Sequence, residues 1–357
     1  MSPTGEPSVA TGAQDDLLDR LDSLPRVRLA VLPTPLQEAP RLADLAGVDR
    51  LLVKRDDLTG LGMGGNKVRT LEYTVADALE AGADLLVGSA YVHSNHCRQL
   101  AAAGARLGID VRLILRRKPG TPLEWQGNLL LDELFGAEIE FVDAPDVVAL
   151  LALANERMES LRATGRRPSL LTLGPRSKLL GAVAAMRTLL EIRDQVAAEA
   201  EARTRIYVTS GGPTYAGLIA AARIVRYGGS IHGISNQSST AEHQADVIGL
   251  LARIETLLDL SIPNRAPAID IDDRFLGEGY GIPSEEGLEA IRVAARLDGL
   301  ILDPIYTGKG MAGLLGHAVE GRFQSEDLVV FHHTGGVPAV FTYAEQLHSI
   351  APEASLS

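Results

Sequence analysis

Cysteine and aromatic residues are scarce in this sequence, and basic residues are fewer than acidic ones. Cys97 is the only cysteine among 357 residues, so no intramolecular disulfide can form and a reducing cytoplasm is the predicted compartment. Aromatic residues make up 4% of the chain, and the formal net charge is -12. A nucleic-acid surface needs a basic patch, and this composition argues against one.

Long apolar runs are also missing, which argues against a membrane span. The most apolar stretches, such as DVVALLALANERM, are too short to cross a bilayer and fit a packed helix. The opening MSPTGEPSVATGAQDD lacks the basic and apolar regions of an export signal, and residues 1–20 are predicted to form a flexible tail. With 46% apolar and 22% charged residues, the chain is expected to fold as two globular domains.

From residue 51 onward, short apolar segments alternate with longer amphipathic ones. ADLLVGSA, VRLILR, AEIEFV, RIYVTS, SIHGIS and DLVVFHH are typical of strands. NKVRTLEYTVADALEAG, CRQLAAAGARLG and GNLLLDELFG are typical of helices, and each ends in a glycine that can adopt the left-handed C-cap conformation. This alternation predicts an α/β protein with open, twisted and mainly parallel sheets.

Four loops contain glycine, serine, threonine or histidine directly after a predicted strand. They are GLGMGGNK at 60–67, SAYVHSNH at 89–96, TSGGPTYAG at 209–217 and HHTGG at 332–336. In parallel sheets, ligands bind in loops at the carboxyl ends of the strands. These four loops are therefore the candidate binding segments.

The first loop contains Gly60, Gly62 and Gly65 in the spacing G-x-G-x-x-G of dinucleotide-binding turns. That function needs an acidic residue at the end of the next strand to bind the ribose, and ADLLVGSA ends without one. A Walker phosphate loop needs a different spacing, and Val68 stands where its hydroxyl residue belongs. Both interpretations are therefore disfavoured.

The loop SGGPTYAG is a better phosphate site. At the start of a predicted helix it offers backbone N–H groups and hydroxyls that bind anions, on Ser210, Gly211, Gly212 and Thr214. A plain strand-to-helix turn would explain the same residues equally well. The loop alone does not decide between the two.

Lys67 follows Asn66 at the start of another predicted helix. By default a lysine at such a position is a solvated surface residue. In apolar surroundings, however, a lysine loses its proton readily and can attack a carbonyl. An aldehyde with a phosphate group, together with such a lysine, is the chemistry of pyridoxal phosphate.

Six sequence blocks resemble the family of D-cysteine desulfhydrase and 1-aminocyclopropane-1-carboxylate (ACC) deaminase, within the tryptophan-synthase-β-like (fold type II) pyridoxal phosphate enzymes. They are VKRDDLTGLGMGGNKVRTLEY, HSNHCRQLAAAGARLG, GNLLLDELFGAE, SGGPTYAGL, GEGYGIPSEEG and LDPIYTGKGMAGL. The resemblance implies that pyridoxal phosphate lies in the cleft between two α/β domains. The larger comprises residues 21–65 and 172–350, and the smaller comprises residues 66–171.

The resemblance also implies roles for individual residues. Lys67 is the Schiff-base lysine and takes the Cα proton, Asn95 faces the phenolic oxygen of the cofactor, and Ser94 lies beside the substrate carboxylate. Tyr280 and Tyr306 line the substrate side and complete the catalytic group with Lys67 and Ser94. Further cofactor contacts are expected from Asn66, Ser210, Gly211, Gly212, Thr214, Thr307 and Thr334, and further substrate contacts from His93 and His96.

Thr307 separates the two branches of the family. Ring-opening deaminases resemble YEGK at this point, and their glutamate keeps the pyridine nitrogen of the cofactor protonated. This chain has YTGK, with a second threonine, Thr334, in HTGG. Because a hydroxyl stabilises a pyridinium ion less well than a carboxylate, the expected reaction is α,β-elimination, and D-cysteine is the expected substrate.

Three departures from the family pattern lie near the expected substrate. His93 replaces a glutamine, Pro213 extends the usual GGTxAGL, and GPRSK at 174–178 replaces GGSN. Another β-substituted amino acid such as cysteate, deamination of ACC, or a non-catalytic role in binding the cofactor therefore stay as alternatives.

No metal is expected, because the pairs His93 with His96 and His332 with His333 lack the carboxylate or cysteine companions of a closed site. The family implies a homodimer that acts on a small amino acid. Neither a nucleic acid nor a membrane is expected as a partner.

Overall fold

The computed structural model describes residues 9–117, 124–172, 174–209 and 211–348. The strands described are β1 (Leu36–Glu38), β2 (Arg50–Arg55), β3 (Leu85–Tyr91), β4 (Asp110–Arg116), β5 (Glu138–Val142), β6 (Pro168–Leu170), β7 (Thr204–Thr209), β8 (Ser230–Ile234), β9 (Asp270–Asp272) and β10 (Leu328–His333). The α-helices described are α1 (Val9–Asp22), α2 (Pro40–Ala46), α3 (Lys67–Glu80), α4 (Asn95–Leu107), α5 (Gly127–Leu134), α6 (Val147–Ala163), α7 (Pro175–Gln195), α8 (Pro213–Val225), α9 (Thr240–Leu258), α10 (Glu285–Asp298), α11 (Thr307–Val319), α12 (Ala339–Thr342) and α13 (Ala344–His348). Short 3-10 turns occupy Asp56–Leu58, Leu61–Met63 and Ala198–Arg203.

The strands form two separate sheets. The larger has six strands in the order β1-β2-β10-β7-β8-β9, in which β1 is antiparallel to β2 and the other pairs are parallel. The smaller has the order β5-β4-β3-β6, and all of its pairs are parallel. The predicted α/β fold with mainly parallel sheets is confirmed.

Helix ends follow the glycines that the sequence indicates. The glycines after α3, α4 and α5 are Gly82, Gly108 and Gly136, with φ values of 78°, 68° and 80°. These are left-handed conformations, which glycine adopts without a steric penalty. Between the helices, the central strands are buried on both faces, and β10 is buried at every position.

The N-terminal tail predicted over residues 1–20 is wrong for residues 9–20, which belong to α1. Leu17 and Leu21 of this helix are fully buried and pack into the same apolar cluster as α7 and α8. The two leucines are four residues apart, so they lie on one face of the helix. A weak local pattern becomes a stable helix because the core covers that face. Residues 1–8 lie outside the described part of the chain.

The two sheets use different parts of the chain. The strands of the smaller sheet lie between residues 85 and 170, and those of the larger sheet lie on both sides of this stretch. This order agrees with a smaller domain inserted into a larger one, although the limits 66–171 stay a prediction. Among the described residues, no helix is both long and apolar enough to cross a membrane.

Helix α3 lies between the two domains. Val68, Leu71 and Val75 pack into the apolar cluster of the smaller sheet, whereas Tyr73 packs into that of the larger sheet. Opposite faces of one helix therefore contact the two halves of the molecule. Its first residue is Lys67, which places this lysine at the boundary between them.

Candidate active site

Three of the candidate loops follow neighbouring parallel strands and meet at one edge of the larger sheet. They follow β2, β10 and β7. The backbone N–H of Asn66 donates to the Thr334 carbonyl at 2.9 Å, and its side-chain Nδ2 donates to the Thr214 hydroxyl at 3.2 Å. Asn66 thus connects the three loops beside Lys67.

Lys67 is a largely buried amine at the first position of α3. Burial alone lowers the pKa of its ammonium group, and no acidic side chain among the described residues raises it. Such a lysine is more often neutral than a surface lysine, and a neutral amine is a nucleophile.

The glycines before Lys67 allow close contact between backbone segments. A Cβ on Gly64 would lie 1.8 Å from the Asp57 carbonyl oxygen, and one on Gly65 would lie 2.4 Å from Nε2 of Gln99. A Cβ on Gly335 would lie 2.6 Å from Cα of Gly65. These three glycines are therefore needed for the close packing of the backbone segments beside Lys67.

The loop after β7 leads into the N-terminus of α8. Gly212 has a φ of 128°, and Pro213 occupies the first helical position, where a missing N–H costs nothing. Thr214 is buried at this terminus, where the positive end of the helix dipole favours an anion. A Cβ on Gly211 would lie 2.8 Å from the Gln237 side chain. Ser210 lies outside the described residues.

The start of α4 places Ser94 and Asn95 at the carboxyl end of β3. Ser94 is the N-cap residue, and its hydroxyl accepts a hydrogen bond from the Cys97 N–H at 3.2 Å. Asn95 accepts one from Nδ2 of Asn128 through its Oδ1, at 2.9 Å. Both predicted site residues therefore lie where positive helix-end charge favours an anionic group.

The two histidines beside them are both neutral near pH 7. Burial lowers the pKa of His96 to about 4, and its Nε2 contacts the Leu171 carbonyl. Burial also lowers the pKa of His93, whose Nδ1 is buried without a hydrogen-bond partner in the described part of the chain. His93 therefore has a polar atom available to a ligand, whereas the ring of His96 is held by the main chain.

Tyr280 and Tyr306 form a hydrogen-bonded pair. Their hydroxyl oxygens are 2.5 Å apart, and the ring of Tyr280 also lies 5.9 Å from that of Tyr91, at the end of β3. Burial and the neighbouring Tyr280 raise the pKa of the Tyr306 phenol well above its ordinary value. Both predicted tyrosines therefore lie together as neutral phenols, and Tyr280 contacts the smaller sheet through Tyr91.

Asp303 is absent from the predicted site residues, yet it organises the start of α11. Its Oδ2 accepts from the N–H groups of Ile305 and Tyr306, and its Oδ1 accepts from the N–H and the hydroxyl of Thr307. The Asp303 N–H donates in turn to the Thr307 hydroxyl at 2.7 Å. The spacing Asp-Pro-x-x-Thr ahead of a helix is the sequence signal for this arrangement.

Thr334 differs from Thr307 in what its hydroxyl contacts. Its side chain is buried, and its hydroxyl makes no hydrogen bond with any residue that the structure describes. Its carbonyl accepts from the Asn66 N–H, so Thr334 lies beside Lys67. A hydroxyl beside Lys67 that makes no hydrogen bond with the described residues is available to a ligand atom.

Comparison with known proteins identifies the family. The profile described as "Pyridoxal-phosphate dependent enzyme" matches residues 27–335. The chain belongs to this family. A structure described as an ACC deaminase homologue is 34% identical, covers 93% of this chain and 98% of its own, and superposes with a TM-score of 0.83.

Two threonine deaminases share the fold at lower identity. Isoform 2 from Solanum lycopersicum is 17% identical, with a TM-score of 0.65 over 97% of this chain and 89% of its own. The threonine deaminase from T.th. is 19% identical, with a TM-score of 0.63 over 92% of this chain and 98% of its own. At these identities the similarity shows the fold alone.

The site fits pyridoxal phosphate. Lys67 is an amine without an ion-pair partner among the described residues, Thr214 lies at a helix N-terminus that favours an anion, and the Thr334 hydroxyl makes no hydrogen bond with the described residues. When bound, the cofactor supplies an electron sink for a carbanion at the substrate Cα. Lys67, Thr214, Thr334 and the glycine loop are the groups that would hold it.

A buried ionic network begins at Arg69, two residues after Lys67. Arg69 on α3 donates to Asp56 and Glu191, and Nε2 of His332 lies 2.9 Å from Asp56. Burial alone would raise the pKa of Asp56, but Arg69 and His332 lower it far below its ordinary value. His332 is thus paired with a carboxylate, and no group of three or more metal-ligating side chains occurs in the residues described.

Proposed function

We propose that the protein catalyses α,β-elimination from a β-substituted amino acid, with D-cysteine as the best candidate. The products from D-cysteine are pyruvate, sulfide and ammonia. Membership of the family supports the cofactor and the class of enzyme, a pyridoxal-phosphate-dependent lyase or deaminase. The single observation that favours elimination is that Thr307 stands where the ring-opening deaminases have a glutamate. The groups available to the ring nitrogen of the cofactor are then hydroxyls and not a carboxylate.

We assign the contact with the ring nitrogen to Thr334. The Thr307 hydroxyl already donates to Asp303 Oδ1 and accepts from the Asp303 N–H, both at 2.7 Å. The Asp303 carboxylate is itself committed to four donors at the start of α11. Only Thr334 of these three residues has an unused polar group, and a neutral hydroxyl does not hold a proton on the nitrogen.

The remaining side chains divide the work of proton transfer and binding. With the cofactor and substrate bound, the Lys67 amine would be the base that removes the Cα proton. Ser94 and the α4 terminus bind the substrate carboxylate. The bond between Cβ and sulfur then breaks, and the Tyr280–Tyr306 pair donates a proton to the departing sulfur. The released enamine is hydrolysed to pyruvate and ammonia.

His93 bears on the choice between a thiol and a sulfonate substrate. Cysteate would bring a second negative charge to the site, and a protonated imidazole would favour it. Burial instead lowers the pKa of His93, so its ring is neutral near pH 7. A neutral His93 favours a substrate such as D-cysteine over cysteate.

Product formation from a panel of amino acids tests this function. Pyruvate release is expected from D-cysteine, with less from L-cysteine and cysteate, and little 2-oxobutanoate is expected from ACC. The Lys67→Ala variant serves as the control for contaminating activity and should release no pyruvate. Steady 2-oxobutanoate formation that matches the best elimination rate would instead identify a deaminase. Absence of turnover with every substrate would favour a non-catalytic role.

We further propose that the protein forms a homodimer through the outer surface of the Lys67 loop. Four large apolar side chains are exposed there or next to it: Val31, Leu58, Met63 and Leu134. A Cβ on Gly60 would lie 3.2 Å from Val31, and one on Gly62 would lie 3.4 Å from the ring of Phe135, so these segments adjoin. Exposed apolar patches of this kind mark protein contacts. Light scattering should give twice the chain mass, and Leu134→Glu should reduce it.

A further inference from the structure

Asn128 is a fully buried residue of α5 that contacts both neighbours of Ser94 in the chain. Its Nδ2 donates to the carbonyl oxygen of His93 at 2.7 Å and to Oδ1 of Asn95 at 2.9 Å. Both contacts come from the same amide nitrogen, which carries two hydrogens. Asn128 therefore fixes the segment that leads into α4 by two hydrogen bonds.

These contacts fix the orientation of two amide groups. The His93 carbonyl can only accept a hydrogen bond, so the amide nitrogen of Asn128 must face it. The second hydrogen of that nitrogen points to Asn95, which must then present its oxygen. It follows that Nδ2 of Asn95, a donor, is directed away from Asn128.

The position of Asn128 is itself fixed by the residue before it. Gly127 has a φ of 55°, and a Cβ there would lie 2.8 Å from the Pro338 carbonyl oxygen and 2.6 Å from the Thr342 hydroxyl. The first turn of α5 therefore packs closely against the segment of Pro338 and Thr342, which follows the HTGG loop. Asn128 is held in place by the larger domain as well as by its own helix.

We propose that Asn128 is a positioning residue that makes Asn95 a hydrogen-bond donor to the phenolic oxygen of the cofactor. This rests on the proposed function and on the family resemblance, which implies that Asn95 faces that oxygen. A donor at the oxygen weakens its hold on the proton that it shares with the Lys67 nitrogen. Asn128 therefore lowers the pH at which that proton is lost.

The test is a pH titration of the visible absorbance of the holoenzyme, with Asn128→Asp as the principal variant. A carboxylate offers only acceptors to His93 and Asn95, so the Asn95 amide should rotate and present its oxygen to the cofactor. The midpoint of the titration should then rise by about one pH unit, the scale of one hydrogen bond to a charged group. If Asn128→Asp does not fold, Asn128→Ala should give a rise of the same sign.

Two controls separate positioning from a general loss of structure. Asp132 lies one turn along α5, is equally buried, and has no hydrogen-bond partner in the described residues, so Asp132→Asn should leave the midpoint unchanged. In an Asn95→Ala background, Asn128→Asp should cause no further shift, because its effect acts through Asn95.

Three results of these titrations would contradict the proposal, and each differs from the others. A wild-type protein without a visible band from cofactor attached at Lys67 would overturn the proposed function as well. A visible band with the same titration midpoint in the wild type and in Asn128→Asp would overturn the role of Asn128 alone. A shift of equal size with and without Asn95 would show that Asn128 does not act through that residue, and would also overturn the proposal.

Discussion

At the scale of single residues, two threonines of similar sequence context have different roles. The hydroxyl of Thr307 is both donor and acceptor for Asp303, whereas that of Thr334 makes no hydrogen bond with the described residues. The chemistry of the hydroxyl is the same in both. What differs is whether the hydroxyl already makes hydrogen bonds with other residues of the protein.

Replacing each threonine by valine should separate these roles. Thr307→Val leaves the Asp303 N–H and carboxylate short of a partner, so the free energy of unfolding should fall by about 1 to 3 kcal/mol. Thr334→Val should change stability little but should alter the absorbance and the turnover of the holoenzyme. Urea unfolding and visible spectra measure the two effects. A stable Thr307→Val with an altered spectrum, beside an unaltered Thr334→Val, would reverse the assignment.

At the scale of elements, the ends of helices build the site. Helices α3, α4, α8 and α11 begin with, or directly after, predicted site residues. Three of them follow the strands β2, β3 and β7 across a loop, so backbone N–H groups, lysine and hydroxyls collect at the carboxyl ends of the strands. We propose that phosphate binding depends most on the glycine loop before α8.

Gly212→Ala should weaken cofactor binding by about tenfold, because its φ of 128° is strained for a residue with a side chain and bulk there blocks approach to the backbone. Gly299→Ala is the matched control, since Gly299 also has a positive φ, at 66°, but lies at the end of α10. Equilibrium dialysis with pyridoxal phosphate measures the difference. Equal affinity of Gly212→Ala and the wild type would move the phosphate site elsewhere.

Lys309 on α11 holds the loop that contains Tyr280. Its Nζ donates to the carbonyls of Leu276 and Gly279 at 2.7 and 3.0 Å, and burial lowers its pKa to about 8 although Asp303 raises it. Lys309→Met should therefore raise KM for the amino acid more than it lowers kcat. A variant with unchanged KM would show that this anchor does not position Tyr280.

The same shift has a consequence for stability. The folded-state pKa of Lys309 lies below the unfolded value, so between about pH 8 and 10 the unfolded state binds more protons. The unfolding free energy of the wild type relative to Lys309→Met should therefore rise across that window. Urea unfolding at several pH values measures it, and a flat difference would contradict the shifted pKa.

At the scale of the whole molecule, the site lies where two sheets meet across α3. Asn66 donates hydrogen bonds to Thr214 and to Thr334 beside Lys67, and the ring of Tyr91 in the smaller sheet contacts that of Tyr280 in the larger part. A ligand in this position contacts both halves of the protein. Binding of the cofactor should therefore stabilise the fold as a unit.

Removal of pyridoxal phosphate should lower the melting temperature. A ligand at a hundred times its dissociation constant adds about 2.7 kcal/mol of stability to the state that binds it. Lys67→Ala should show a smaller gain on addition of the cofactor, because it cannot form the covalent link. Differential scanning calorimetry of apo and holo protein measures this. Identical melting of both forms would contradict a site between the domains.

The sequence predicts the long elements and the position of the site better than the short elements. Periodicity and terminal glycines indicate α3, α4 and α5, and apolar runs indicate β3, β4 and β10. The three-residue strands β1, β6 and β9 have no pattern of their own, because neighbouring strands determine their pairing. Helix α1 also has only a weak local pattern, because its packing against the core stabilises it.

Within the site, the motifs identify residue types but not their contacts. Nothing in YTGK shows that Asp303 uses the Thr307 hydroxyl, and nothing in GNLLLD shows that Asn128 reaches Asn95. Both contacts join residues whose relative positions depend on helix starts and loop packing. Such hydrogen bonds are a property of the folded chain and become visible only there.

The most direct test of the account is to locate the lysine that binds the cofactor. The purified protein is expected to be yellow, and reduction with borohydride should make the link between pyridoxal phosphate and the protein permanent. Proteolysis and mass spectrometry should then find the added mass on Lys67, with none on the Lys67→Ala variant. A label on Lys54, Lys309 or another lysine, with Lys67 unmodified, would contradict the central assignment.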